Sequence, residues 1–322
     1  MRRTSATAAF ILLCSYLAPV SAADWIPTKP MRLVVPVVGG TVDILARLVA
    51  PRLQDALGQP VIVENKPGAG GNSGTDFVAK SPADGHTLLV SFTAPITVNP
   101  TLFQKLPYDP QKDLAPIMLA VSTHQFLVVH PSVPAKTVPE FVRHLKANPG
   151  RLSYASIAVG GASHLTMEMF KAAAGVDIVH VPYKGSGPAI TDLLAGNVHA
   201  SMLVAGNVLA HLKSGKMRAL AATGRQRFAS APDVPTMIES GFADFDVIAW
   251  IGFHAPGGTS RDVIERINRE LARVLAVPEV RGRLASLEFE IVASSPEGFA
   301  DYIRQETPRW ARVIRDTGAK PE

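Results

Sequence analysis

The chain has 322 residues, 47% of them hydrophobic and 18% charged, which is enough to bury the cores of two α/β domains. Its 32 basic and 27 acidic residues give a formal net charge of +5, but the basic residues are scattered along helical stretches with no Lys/Arg block and no interleaved aromatics, which argues against a nucleic-acid platform. The single cysteine, Cys14, rules out an internal disulfide.

In chain order, the first 22 residues, MRRTSATAAFILLCSYLAPVSA, show two arginines, an apolar core over 8–20 and the small-residue end Val20-Ser21-Ala22. That is the pattern of an export signal cleaved near Ala22. Its core is short of the roughly 20 residues a bilayer span takes, and no later segment is apolar enough either. Leu13 is too bulky to precede a lipid-attachment cysteine. Cleavage removes Cys14, Arg2 and Arg3, leaving 30 basic against 27 acidic residues, a net charge of +3. The mature chain then offers no thiolate for catalysis or metal ligation.

Beyond the leader, strand and helix patterns alternate. Strands are expected over 31–38, 61–64, 87–91, 117–121, 126–129, 153–156, 178–181, 200–204, 219–223 and 248–255. Helices are expected over 41–54, 138–147, 163–173, 186–195, 260–276, 278–287 and 296–317. Such alternation predicts parallel sheets covered on both faces. Two long extended apolar runs, 117–129 and 246–256, contain no helical pattern and read as crossings between lobes. They divide the chain into one lobe of residues 24–123 plus 247–322 and a second of 124–246, joined by a two-strand hinge suited to a closing cleft. Near the C-terminus Phe299, Ile303, Trp310 and Ile314 recur at helical spacing, a stripe read as core rather than as a partner face.

Three times an apolar strand runs into a glycine turn that opens onto a helix: RLVVPVVGGTVDILARLVAPRL, LSYASIAVGGASHLTMEMFKAAA and IVHVPYKGSGPAITDLLAGN. Each such helix start offers up to four unpaired N–H groups and the positive end of a dipole, so it attracts a carboxylate or phosphate without a cation. The first turn supplies Val38, Gly39, Gly40 and Thr41, and Asp43 in the opening helical turn is read as a structural cap that offsets the dipole and holds free N–H groups, rather than as a contact to a polar group of the ligand. In the second, Ser156, Gly160, Gly161, Ser163 and His164 cluster, and Ser163 is read as helix cap and anion donor. A hydrolase would need a G-x-S-x-G elbow and a histidine brought from elsewhere, and the flanking glycines do not fit. His164 and Glu168 stand four apart, but no third metal ligand and no H-E-x-x-H pattern is evident. In the third, Tyr183 and Gly185 either face the cleft or form a plain strand-to-helix turn, with Lys184 directed to solvent. The glycine loop GAGGNSG is out of register for G-x-G-x-x-G and lacks the G-K-[ST] of a phosphate-binding loop, so no nucleotide cofactor is expected. Ser91 and Thr93, at the end of a strand, and Asn99 just beyond stand where open α/β sheets bind ligands.

Taken together, RLVVPVVGGTVDILARLVAPRLQDALGQPVIVENKPGAGGN, NPTLFQKLPYDPQKDLAPI, SHLTMEMFKAAAGVDIVHVPYKGSGPAITDLLAGNV, SGKMRALA, PDVPTMIESG and FHAPGGT closely resemble the substrate-binding proteins of tripartite tricarboxylate transporters, the Bug or TctC family, over essentially the whole mature chain. The resemblance implies a periplasmic binding protein of type II, two doubly wound α/β lobes that close over a small organic carboxylate and hand it to membrane transporter subunits. It implies no catalysis, no cofactor and no metal, and a monomer as the usual state. It further implies that the loops at 38–41 and 160–164 hold the carboxylate, partly through waters, with Ser91, Thr93 and Asn99 lining the cleft. Two departures stand out. The family's P-[FY]-x-x-G-G-x-x-D is here PVVGGTVD, one residue shorter and without the aromatic, and His199 and Leu203 occupy positions where many relatives carry acids. Loss of an inner acid argues against an amino-acid ligand. The alternatives are a ligand-free signalling protein of the same fold, which the shortened loop favours, and a serine hydrolase at Ser163.

Overall fold

The computed structural model describes residues 25–243 and 245–320, and the expected leader lies outside them. The chain begins with β1 (Met31–Val35), α1 (Gly40–Leu57), β2 (Val61–Asn65), α2 (Asn72–Ala79) and β3 (Thr87–Phe92), then a π-helical turn at Ala94–Val98, α3 (Asn99–Leu102) and β4 (Leu114–Thr123). Next come β5 (Gln125–Val129), α4 (Val138–Ala147), β6 (Ser153–Ile157), α5 (Ala162–Ala174), β7 (Val179–Tyr183), α6 (Ser186–Ala195), β8 (Ala200–Val204), α7 (Ala205–Lys213) and β9 (Arg218–Ala222). β10 (Ala249–Pro256), α8 (Arg261–Ala276), α9 (Pro278–Ala285), β11 (Glu290–Ile291) and α10 (Pro296–Thr317) complete it.

Two sheets form two lobes. One has the order β11-β4-β10-β3-β1-β2 and the other β7-β6-β8-β5-β9. The chain leaves the first sheet at Thr123, enters the second at Gln125 and returns ahead of β10. Helices cover both faces, and separate apolar cores lie in each lobe, around Leu33, Leu45, Ile117 and Leu271 in one and Leu127, Phe141, Tyr154 and Phe170 in the other.

The sheets are not purely parallel. β10 runs antiparallel to β3 and β4, β11 antiparallel to β4, and β5 antiparallel to β8 and β9. The reason is the crossing itself. A strand that feeds a cleft loop ends at the cleft, whereas β5 and β10, arriving from the other lobe, start there.

Local chemistry accounts for most element ends. Gly58, at φ 71°, stops α1 in a left-handed turn, and α10 starts where Ser295 Oγ accepts the Gly298 N–H at 3.0 Å. Phe299 and Ile303 of α10 pack with Trp250 in the first lobe, while Trp310 and Ile314 pack with Leu165 of α5 and Val247. The apolar stripe is thus core, and α10 staples one lobe to the other. At the hinge, Asp246 binds Arg225 Nε at 2.7 Å and His124 Nε2 at 3.4 Å, and its carbonyl accepts from Arg309 at 2.7 Å. These bonds tie the two crossing segments to each other and to α10.

Candidate functional site

Between the lobes lies a cavity that leaves about 90 Å³ for the centres of water-sized molecules. Four helices start on its wall. Gly40, Thr41 and Val42 open α1, Ala162 and Ser163 open α5, Ser186 opens α6, and Asn207 stands in the first turn of α7. The N–H groups of a first helical turn have no partner within the helix, so four sets of donors and four positive dipole ends converge from both lobes. Among the described residues, no Lys, Arg, His, Asp or Glu lines this cavity. The rest of the wall is largely apolar and comes from strand ends and the hinge, including Phe92, Met202, Val204, Trp250, Ile251 and Phe289.

Two glycines permit the close approach at the first turn. Gly39 has φ 63° and Gly40 φ 74°, in the left-handed region that favours glycine. A Cβ on Gly40 would stand 2.5 Å from Ser186 Oγ of the facing lobe. Nearby, Gly185, in extended backbone (φ 178°), packs on the Val38 carbonyl, and Gly70 faces the Val159 carbonyl, so the loops of the two lobes touch.

Of the residues singled out in the sequence, Gly39, Gly40, Thr41, Thr93, Gly161 and Ser163 reach the cavity wall. The others have different tasks. Val38 is half exposed at the rim beside Gly185. The Gly160 N–H donates to His164 Nδ1 at 3.0 Å and the Gly161 N–H to the Ala158 carbonyl at 3.0 Å, so neither amide is free for an anion. The free amides of this turn therefore begin at Ala162. His164 is buried within the second lobe, stacked on His180 with centroids 4.2 Å apart. Burial, with lesser contributions from His180 and Lys171, lowers its pKa to about 3, which keeps the ring neutral. Ser156 Oγ bonds His180 Nε2 at 2.6 Å, and Ser91 Oγ bonds His254 Nδ1 at 2.8 Å. Asn99 donates to Asn72 Oδ1 at 2.6 Å and braces the glycine loop, while Tyr183 donates to Asp192 at 2.6 Å.

Two assigned roles need correction. Ser163 is not the helix cap, because α5 starts one residue earlier with Gly161 at the cap position. Its Oγ instead accepts the Ile157 N–H at 2.8 Å, and among the described residues the acceptor it meets is the Ile157 carbonyl at 3.5 Å. Asp43 does not cap α1 either. Its carboxylate receives Arg47 Nε at 2.8 Å and Asn65 Nδ2 at 2.7 Å. Burial would raise this carboxyl, but the hydrogen bonds from Arg47 and Asn65 hold it below its usual range.

His199 and Leu203 also lie elsewhere. His199 Nδ1 accepts the Ser153 N–H at 3.0 Å, and Leu203 packs in the core with Phe126 and Val128. Wall residues that sequence reasoning did not assign to the site include Ser186, Asn207, Thr123, Gln125, Met202 and Trp250. For Ser186 the third glycine turn was the available signal. For Asn207 there was none, because α7 was not recognised as a helix.

A profile for the tripartite tricarboxylate transporter family receptor matches residues 45–319. Protein BugT of Bordetella pertussis is 40% identical over 313 residues, 97% of this chain and 96% of BugT. The chain belongs to the tripartite tricarboxylate transporter receptor family. Among solved structures, periplasmic binding protein BugD is 33% identical with a TM-score of 0.87, covering 92% of this chain and 100% of that one. The R. palustris protein Rpa4515, solved with adipate, is 33% identical with a TM-score of 0.88, covering 93% and 100%. The two-lobed α/β architecture is that of this family, a family of periplasmic solute-binding receptors.

Proposed function

We propose that this chain is an exported receptor whose two lobes, 24–123 plus 247–322 and 124–246, close as a monomer over a small organic carboxylate and deliver it to the subunits of a membrane transporter. On this reading residues 1–22 are the leader removed on export to the periplasm. The observation that carries the proposal is the meeting of four helix N-termini at a cavity with no charged side chain on its wall among the described residues. Main-chain amides and the hydroxyls of Thr41, Ser163 and Ser186 are donors without a fixed counter-ion, which suits an anion that must be both held and released.

Suppose about four charge-assisted hydrogen bonds form, each contributing about 1.5–3 kcal/mol. Association costs of at least about 4 kcal/mol subtract, and some apolar burial adds. The balance lies near −8 kcal/mol, a dissociation constant on the order of micromolar. A melting screen against a panel of carboxylates tests the proposal. A true ligand at 100 times its dissociation constant adds about 2.7 kcal/mol of stability, and a panel in which no carboxylate raises the melting temperature would defeat it.

A further inference from the structure

Taking the receptor reading as given, we infer that His164 is a positioning residue: from inside the second lobe it sets the glycine turn that presents this lobe's amides to the guest, without touching the guest itself. The turn between β6 and α5 is one the chain does not adopt unaided. Ala158 has φ 62° and Gly160 φ 77°, so two left-handed residues fall close together, and the first of them carries a Cβ that this region disfavours. Such a backbone persists only where its surroundings over-determine it.

Hydrogen bonds from several directions do so. The Ala158 N–H donates to the Tyr183 carbonyl at 2.9 Å, and the Gly161 N–H to the Ala158 carbonyl at 3.0 Å. The Ile157 N–H donates to Ser163 Oγ at 2.8 Å and the Gly160 N–H to His164 Nδ1 at 3.0 Å. These two side chains are neighbours at the start of α5 with different surroundings. Ser163 stands on the cavity wall, whereas His164 is 3% exposed and lies within the lobe. A main-chain N–H aimed at Nδ1 fixes the tautomer, with the lone pair on Nδ1 and the proton on Nε2. Stacking then holds the ring. His180 lies on it with centroids 4.2 Å apart and planes 7° from parallel, and Tyr154 stacks in turn on His180 at 4.9 Å. Both supporting rings are pinned, His180 Nε2 to Ser156 Oγ at 2.6 Å and the Tyr154 hydroxyl to Glu168 at 2.7 Å.

What the bond controls lies on the other side of the turn. A Cβ on Gly160 would stand 2.6 Å from Asn99 Oδ1 and 2.9 Å from Leu102, so this turn is pressed against the first lobe. Just beyond Gly160, Ala162 and Ser163 open α5 on the cavity wall. Rotation of the Gly160 peptide would therefore disturb two things together, the seat of the turn on the facing lobe and the aim of the first free amides. Without an acceptor at position 164 the buried Gly160 N–H is left unpaired, and such a rotation is its relief.

Substitution by Asn and by Leu separates the hydrogen bond from the ring stack. Both lose the imidazole, but Asn carries an acceptor at the branch next to Cγ, where Nδ1 is, and Leu carries none. Titration calorimetry on the mature chain uses succinate, glutarate, citrate, butyrate and benzoate as probes. For the probe that wild type binds most tightly, His164→Leu should be at least about 10-fold weaker and His164→Asn within about 3-fold of wild type, with circular dichroism showing both folded. A signature that needs no variant comes from long-range proton–nitrogen NMR spectra, in which His164 should carry its proton on Nε2 and none on Nδ1. His164→Leu binding like wild type, His164→Asn as weak as His164→Leu, or a ring protonated at Nδ1 overturns the inference and leaves the receptor reading intact. If His164→Leu does not fold, the His164→Asn titration and the tautomer decide. No heat and no melting shift from any probe with wild type overturns both.

Discussion

Gly40→Ala probes how the lobes meet. The added Cβ would lie 2.5 Å from Ser186 Oγ, whereas ordinary contact starts at 3.4 Å, so either the Ser186 hydroxyl swings off its place on the cavity wall or the facing turn retreats by roughly 0.9 Å. Overpacking of this kind costs about 1–3 kcal/mol. Because Gly40 and Ser186 belong to different lobes, the penalty falls on the closed form, and affinity for a carboxylate should drop about 5- to 150-fold. Strain from a left-handed φ of 74° adds about 1–2 kcal/mol whether the lobes are together or apart, and so appears in unfolding rather than in binding. Gly39→Ala is the control, since its φ is 63° but its Cβ meets nothing within 4 Å. Ser186→Ala removes the clashing oxygen and leaves the Ser186 Cβ at 3.4 Å. Calorimetry on the two single variants and the double variant should therefore show a coupling of about 1 kcal/mol or more, with the double binding more tightly than additivity allows. Wild-type affinity in Gly40→Ala, or simple additivity in the double, would refute the reasoning.

Three further outcomes are expected. Burial holds both His164 and His254 neutral, with pKa values lowered from 6.5 to about 3. Their stabilisation is therefore complete above about 6.5 and is lost as pH falls toward 3, each giving up about 2 kcal/mol between pH 7 and pH 5; urea unfolding of His164→Gln should show a flatter pH dependence than wild type, and an unchanged slope counts against this account. Burial also pushes the Glu306 carboxyl up, against hydrogen bonds from Trp250 and Tyr302. Glu306→Leu orphans the indole N–H and the Tyr302 hydroxyl and should cost about 2–4 kcal/mol in denaturant unfolding, with altered tryptophan fluorescence; a loss below about 1 kcal/mol would contradict the bonding described. Ser295→Ala removes the cap of α10 and should cost about 1 kcal/mol of stability while leaving carboxylate affinity unchanged.

The glycine turns were legible because a left-handed backbone and a close approach both require glycine; Gly40 meets both needs and Gly39 the first. The crossings were legible because an apolar run with no period of 3.6 has to be extended. Strand direction was not, since period-2 alternation looks the same whichever way a strand runs, so the antiparallel placement of β5 and β10 had to come from three dimensions. Ser163 and His164 illustrate a finer limit. Helix α5 starts at Ala162 rather than Ser163, and adjacent positions on a helix are separated by about 100°; one residue therefore faces the cavity while the next turns into the lobe. Helix α7 was hidden because it follows β8 with no intervening residue, leaving no turn chemistry to mark it. The apolar wall was hidden as well, being assembled from β3, β8, β10 and the segment before β11, which only the fold brings together.

The neutral wall has a physical logic of its own. An arginine at this surface would be drawn out of water each time the lobes meet, at a cost of several kcal/mol unless a counter-ion went with it. Amides at a helix start carry no such charge, and their orientation is fixed by the rest of the helix, so little ordering remains to be done when an anion arrives. Four weak positive ends, one from the first lobe (α1) and three from the second (α5, α6 and α7), can then act together on one carboxylate only when both lobes contribute. Binding and closure become one event on this account, because the donors of α1 are out of reach of those of α5, α6 and α7 while the cleft is open. The hinge bonds of Asp246 and the α10 staple limit how the lobes separate without opposing their meeting.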